Sequence, residues 1–309
     1  MVKRWKGMLD TVILRREPAQ SAAGKRRCPA CGSPDTRRKL VTNRGSGQTA
    51  KVRCCRSCGH VKVLNNRHDY TASESVEDLG VGSRCGTLDT KGREFGMAKL
   101  AGEVLARPRL DVLVYGAGRS LDNIHIAKLP RVRRVAIGDI MRVRDEADFV
   151  DISQPAKETF DVVIACEVIE HFTNPRKDFA QMFSYVHRAG IVVCSTNIYD
   201  GGNLNRQTYI FGRGHVSYYT PTALRRIAKA NKMHVDFRLP ASATGVAGPR
   251  KRYVIFSHSQ DVMESLSDYF GSKPYAPSEK PVKRSSAERG VRPAARGVAQ
   301  GDKRPTALG

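Results

Sequence analysis

Apolar residues along this chain gather into short runs separated by stretches with helical spacing. Gly92–Arg107 carries apolar positions three and four apart and predicts a helix. Leu110–Tyr115 follows, an apolar run rich in β-branched residues that reads as a buried parallel strand. Further strands are predicted at Arg134–Ile140, around Phe149-Val150-Asp151, at Phe160–Cys166 and at Gly190–Thr196. A last antiparallel pair is predicted at His234–Leu239 and Arg252–Ser257, joined by the loop Pro240–Lys251. Strands alternating with helices in this order imply an α/β fold. It is a doubly wound, Rossmann-like sheet with a ligand at the carboxyl ends of its strands.

The first strand ends in Gly116-Ala117-Gly118, where glycines let the backbone turn tightly and approach a ligand. The second carries Asp139 at its end, 21 residues beyond Gly118. A nucleotide-binding α/β unit places there the carboxylate that accepts ribose hydroxyls. The glycine pattern is incomplete for a nicotinamide site, because Leu121 stands where a third small residue belongs.

The downstream motifs carry more information. FDVVIACEVIEHF (Phe160–Phe172), the helix-forming TNPRKDFAQMFSYVHRAG after it, and the strand ending in Thr196-Asn197 resemble the class I S-adenosylmethionine-dependent methyltransferases. The subgroup most similar contains ubiquinone-type O-methyltransferases and many small-molecule methyltransferases. HVSYYTPTALRRIAKANKMHVDF (His215–Phe237) resembles the same family's late helix and sixth strand. The resemblance covers about Phe95–His258 and implies a seven-stranded sheet binding S-adenosylmethionine. It implies that Gly116, Gly118, Asp139, Asp151, Cys166 and Glu167 surround the cofactor, with Asp148 competing for the Asp151 role. It also implies an acidic residue two positions before the first glycine, holding the methionine end of the cofactor. Val114 occupies that position here, and Ser120 that of the usual third glycine. Either another group holds the ammonium, or cofactor affinity is reduced, or activity is lost.

Charge changes the picture at the ends of the chain. Of 309 residues, 53 are Lys or Arg and 30 Asp or Glu, a net charge of +23. Met1–His68 holds 17 basic against 3 acidic residues and Gly271–Gly309 holds 9 against 3, so 20 of the 23 excess charges lie outside the predicted catalytic domain. Such termini attract nucleic acid or anionic surfaces, or else are solvated tails. No run approaches the ~20 apolar residues of a membrane span, and the N-terminus lacks a signal-peptide core. A cytoplasmic protein is expected.

Five of the eight cysteines cluster near the N-terminus. Cys28, Cys31, Cys55 and Cys58 form two CxxC knuckles 23 residues apart, each followed by glycine. Four thiolates close a tetrahedral structural zinc site with no open position for substrate. Cys54 is a rival for Cys55, although its spacing to Cys58 is one residue too long. His60 and His68 are spare donors. A similar ribbon precedes the catalytic domain in many bacterial relatives of the resembled group.

The expected organisation is a basic segment at 1–27, a zinc ribbon at 28–68, a connector at 69–91, a methyltransferase domain at 92–258 and an extension at 259–309. The extension is expected to be disordered from about 271, where few apolar groups remain. For chemistry, methyl transfer to a hydroxyl needs an aligned acceptor and a base. His171, His215 and Glu167 are the candidates, and histidine titrates in the useful range. The loop Asn197–Gly214 is polar and glycine-rich, and Tyr199, Tyr209 and Phe211 are its candidate acceptor contacts, as a lid.

The favoured function is O-methylation of a small molecule or glycan. The alternatives are an RNA- or protein-directed methyltransferase that grips its polymer through ribbon and tails, and a weak or inactive binding module. Ala165-Cys166-Glu167-Val168 lacks the Asn/Asp-Pro-Pro-aromatic loop that grips a base amine, which disfavours that acceptor.

Overall fold

The computed structural model describes residues 27–66, 68–70, 85–145, 148–239 and 251–273. The expected basic lead segment, much of the connector and the tail beyond 273 lie outside them.

The central sheet is built from β4 (Leu110–Tyr115), β5 (Val132–Asp139), β6 (Asp148–Asp151), β7 (Phe160–Cys166), β8 (Val186–Asn197), β10 (His234–Arg238) and β11 (Lys251–Ser257). Their order is β10-β11-β8-β7-β4-β5-β6. The strands from β6 to β8 run parallel, and β11 is antiparallel to both its neighbours. The order reverses at β4, so a crevice opens beside its carboxyl end.

Alternation along each strand explains the layers. Leu113, Val163, Val192, Val254 and Phe256 face α3 (Pro175–Phe183) and α4 (Pro221–Ala230). Val112, Val114, Val162, Ile164, Ile191, Val193 and Ile255 face α1 (Arg93–Leu105), α2 (Asp122–Ile126) and α5 (Gln260–Phe270). Odd and even positions thus serve opposite helical layers, the pattern of a sheet buried on both faces.

Helix α5 extends this body beyond the expected boundary at 258. Val262, Met263 and Leu266 bury one face of it in the same layer as α1. Ser259 caps its start by accepting from the Val262 N–H, and Gly271, at φ 57°, ends it. The polar residues between its apolar positions hid it from the strand reading.

A smaller sheet runs β1 (Thr36–Thr42), β2 (Thr49–Cys55), β3 (Val61–Val63), β9 (Ser217–Tyr218). Its first three strands are the predicted ribbon, and its fourth belongs to the chain between β8 and α4. Val61 pairs with Tyr218 and Lys62 with Ser217, so the ribbon and the chain of the seven-stranded unit share one sheet. Among the described residues, no helix is long and apolar enough to cross a membrane.

Candidate functional site

The turn after β4 is held open by its glycines. Gly116 has φ 69° and Gly118 φ 54°. A Cβ at Gly116 would lie 2.7 Å from Val168 Cγ2, so this turn and the loop after β7 close on each other with room for backbone only. Asp139, at the end of β5, accepts from the Gly118 N–H at 2.9 Å and from the Ile140 N–H at 2.7 Å. Burial raises its carboxyl, and these two hydrogen bonds work in the opposite sense. Asp151 stands beside Asp139 in the register of β6 and is turned onto Ser153. Its rival Asp148 is engaged by Arg134.

The loop after β7 carries the next group. Cys166 ends the strand half-buried, and its thiol is pushed up chiefly by burial. Glu167 follows at φ 55°, a conformation that side chains seldom adopt. It accepts from Ser195 Oγ at 2.9 Å and pairs with Arg93 at 3.6 Å. Glycine cradle, Asp139 and the two loops together fit an adenosyl cofactor in residue type and placement.

One turn further on, His171 and His215 come together, their rings 5.0 Å apart. His171 Nδ1 lies 3.0 Å from the Gly214 carbonyl and 2.5 Å from the Tyr70 hydroxyl. His215 Nδ1 lies 2.6 Å from the Tyr209 carbonyl. Each Nδ1 thus faces a backbone carbonyl, a contact that is satisfied when that nitrogen carries the hydrogen, and the Tyr70 hydroxyl shares the His171 Nδ1. Glu170, fully buried, anchors the cluster, accepting from Tyr209 at 2.5 Å and from Thr196 at 3.3 Å. Its carboxylate lies with His171 and His215 in a group whose ligating atoms are all within 4.8 Å of one another. The sequence places Glu170 beside His171 without a role, and gives no sign of Tyr70. Glu170 is adjacent to His171 in a motif already noticed, whereas Tyr70 reaches the site only through the fold.

The expected lid residue Tyr199 packs with Val41, Val52, Val61 and Tyr218 between the ribbon and the larger sheet, and Tyr209 and Phe211 border the same cluster. Tyr199 is buried and its hydroxyl donates to the Gly202 carbonyl. Of these rings Tyr199 is buried core, while Tyr209 and Phe211 are half-buried at its edge, where β9 draws the loop onto the ribbon. A cavity of about 530 Å³ lies instead beside α1, lined by Cys85, Lys91, Arg93, Tyr253, Tyr269 and Phe270 among others.

In the ribbon, Cys28, Cys31, Cys55 and Cys58 offer sulfurs that all lie within 4.8 Å of one another. Cys28–Cys58 and Cys31–Cys55 are each 3.7 Å apart. A disulfide would need about 2.05 Å. Zinc–sulfur bonds of about 2.3 Å in a tetrahedron give sulfur–sulfur edges of roughly 3.8 Å. Cys54 points to the opposite side of β2, against the cluster of Val52 and Tyr199. His60 is buried against Tyr219, and burial holds its imidazole neutral by lowering it to about 3.

Residues 98–233 match the family model of a methyltransferase domain. The region from within α1 to just before β10 is thus similar to a methyltransferase domain. No curated protein matches it. Among solved structures it is similar to 1,6-didemethyltoxoflavin-N1-methyltransferase of Burkholderia thailandensis, determined with S-adenosylhomocysteine. That match has 19% identity and a TM-score of 0.39 and covers 53% of this chain and 76% of that one. A TehB-like S-adenosylmethionine-dependent methyltransferase of Corynebacterium glutamicum matches at 17% identity and a TM-score of 0.40, covering 54% and 90%. Coclaurine N-methyltransferase matches at 14% and 0.41, covering 57% and 75%.

Proposed function

We propose that this methyltransferase methylates a hydroxyl group of a small molecule or glycan, with the ribbon serving as a structural zinc unit. The observation that carries the reading is the pair His171 and His215, with rings 5.0 Å apart beside the buried Glu170 and each Nδ1 against a backbone carbonyl. S-adenosylmethionine, when bound, supplies a methyl group already activated as a sulfonium. The protein then has two tasks, to align the acceptor and to take its proton. Gly116, Gly118 and Asp139 hold the adenosyl part, and Cys166 and Glu167 form the wall nearest the acceptor side. His171 is the first choice as base. Tyr70 and the Gly214 carbonyl both engage its Nδ1, which fixes the ring.

The ribbon supports this site from behind. The Val63 N–H donates to the Val216 carbonyl, and the Val216 N–H donates to the Glu170 carbonyl. Asn66 Nδ2 donates to the Gly212 and His215 carbonyls. A zinc-closed ribbon thus positions both histidines.

The test is transfer of labelled methyl from the cofactor into extract fractionated into small molecules, glycans, RNA and protein. His171→Asn is expected to lower kcat about 10²–10⁴-fold with cofactor affinity unchanged. Unchanged turnover in His171→Asn with loss in His215→Asn would move the role to His215. A second reading has one observation in its favour. Arg37, Arg38 and Lys39 are exposed in succession on β1, the edge strand of the ribbon sheet. Label appearing in RNA, with steep salt dependence of binding, would favour a polymer acceptor.

A further inference from the structure

Val114 leaves the methionine end of the cofactor without the acidic partner that the resembled family provides. It is 2% exposed and packs among Met97, Ala98 and Ala101 of α1. An aminocarboxylate brought into such a place needs partners for both of its charges.

Helix α1 carries a candidate on that same face. Glu94 precedes Met97 and Ala98 by three and four residues, one helical turn, and is itself only 6% exposed. Its Oε2 accepts from Ser120 Oγ at 3.3 Å, two residues beyond Gly118. Asp122 accepts from the Gly92 N–H at 2.6 Å and the Phe95 N–H at 3.2 Å, which ties the start of α1 to the segment after the glycine turn. Next to Glu94, Arg93 reaches the other loop, pairing with Glu167. Its Nε is buried without a hydrogen-bond partner. Adjacent side chains of one helix therefore reach the two loops that frame the cofactor end of the sheet. One is an acid and the other is a base with a donor to spare.

We propose that Glu94 replaces the acid missing at Val114 and receives the ammonium group of S-adenosylmethionine, beside Arg93 as donor to the carboxylate. The proposal rests on the cofactor reading above and adds the residue that completes it. Burial and the adjoining Asp122 push the Glu94 carboxyl up to about 8, with Arg93 opposing. An arriving ammonium supplies the counter-charge that such a carboxyl lacks.

Calorimetric titration of the full chain with two ligands tests this. S-adenosylhomocysteine carries the aminocarboxylate, and 5′-methylthioadenosine keeps the adenosine and thioether without it. Glu94→Gln preserves shape and a hydrogen-bonding partner for Ser120. It is expected to bind S-adenosylhomocysteine about tenfold or more weakly, with 5′-methylthioadenosine affinity and thermal midpoint unchanged. Ser120→Ala, which only loosens the carboxylate, is expected to show the same selective loss in smaller measure and stands in if Glu94→Gln does not fold. Equal loss of both ligands in the variants would assign Glu94 a structural role and overturn the proposal, as would wild-type affinity for S-adenosylhomocysteine. Wild-type protein binding neither ligand would overturn the cofactor reading itself, and this proposal with it.

Discussion

In the seven-stranded sheet, alternate residues of β4, β7, β8 and β11 enter two apolar layers, and the central strands are buried on both faces. In the ribbon, β1 leaves Arg37, Arg38, Lys39 and Leu40 exposed in succession, with Leu40 at 63%. The first region closes its core with hydrocarbon. The second has too little, and it closes with four sulfurs and with a strand borrowed from its neighbour. Even its buried cysteines, Cys28, Cys55 and Cys58, are continuous with the apolar layer of α3 and α4. A small unit of this kind is stable where metal and docking supply what burial does not.

The comparison breaks first at the metal. Cys55→Ser is expected to remove zinc altogether and with it much of the roughly 10–16 kcal/mol that thiolate zinc sites supply. Elemental analysis is the measurement. Cys54→Ser is expected to keep its zinc, because that thiol faces the Tyr199 cluster. Methyl transfer should fall along with zinc in Cys55→Ser, since β3 holds Val216 and Val216 holds Glu170. Zinc retained in Cys55→Ser but lost in Cys54→Ser would exchange the two assignments.

The sheet domain offers a contrasting change, confined to a site. Asp139→Ala removes a carboxylate that orders the glycine turn through the Gly118 N–H and would accept ribose hydroxyls. Loss of charge-assisted hydrogen bonds is expected to cost about 1.5–3 kcal/mol of cofactor binding, on the order of ten- to a hundredfold. Calorimetry should show this with the zinc content intact. Wild-type affinity would remove Asp139 from the site.

Legibility in the sequence followed the same division. Strands such as Leu110–Tyr115 and Phe160–Cys166 were readable to the residue because a doubly buried strand is a continuous apolar run. The four cysteines were readable because ligand spacing is itself a geometric constraint. What joins the two regions was not readable. Ser217-Tyr218 is too short to announce a strand, and its partner Val61-Lys62 lies more than 150 residues away. Tyr199, one of the expected lid residues, is buried for that reason. Glu94 was hidden differently. An acid in the first turn of a helix is ordinary, and only the structure shows it buried beside Ser120.

The smallest effect tests the junction itself. Thr220 is 7% exposed and does two things with one hydroxyl. It donates to the Cys58 carbonyl in the ribbon, and it caps α4 by accepting from the Ala223 N–H at 3.1 Å. Its methyl group sits where a Cβ on Gly59 would come within 2.6 Å, so the ribbon's second glycine turn is fitted to this residue. Thr220→Val keeps the shape and deletes the hydroxyl. Loss of the cap and of one buried bond is expected to cost about 1–2 kcal/mol. That corresponds to roughly 2–4 °C of thermal midpoint per kcal/mol in a unit of this size. Loss of the cap alone would lower the midpoint without touching the metal. A docked ribbon predicts more, because the Cys58 carbonyl belongs to a member of the four-cysteine cluster proposed to hold zinc. Zinc release to a chelator should then quicken in Thr220→Val, while cofactor affinity stays at the wild-type value. An unchanged release rate would show that the ribbon holds its metal independently of α4 and that docking contributes nothing to its stability.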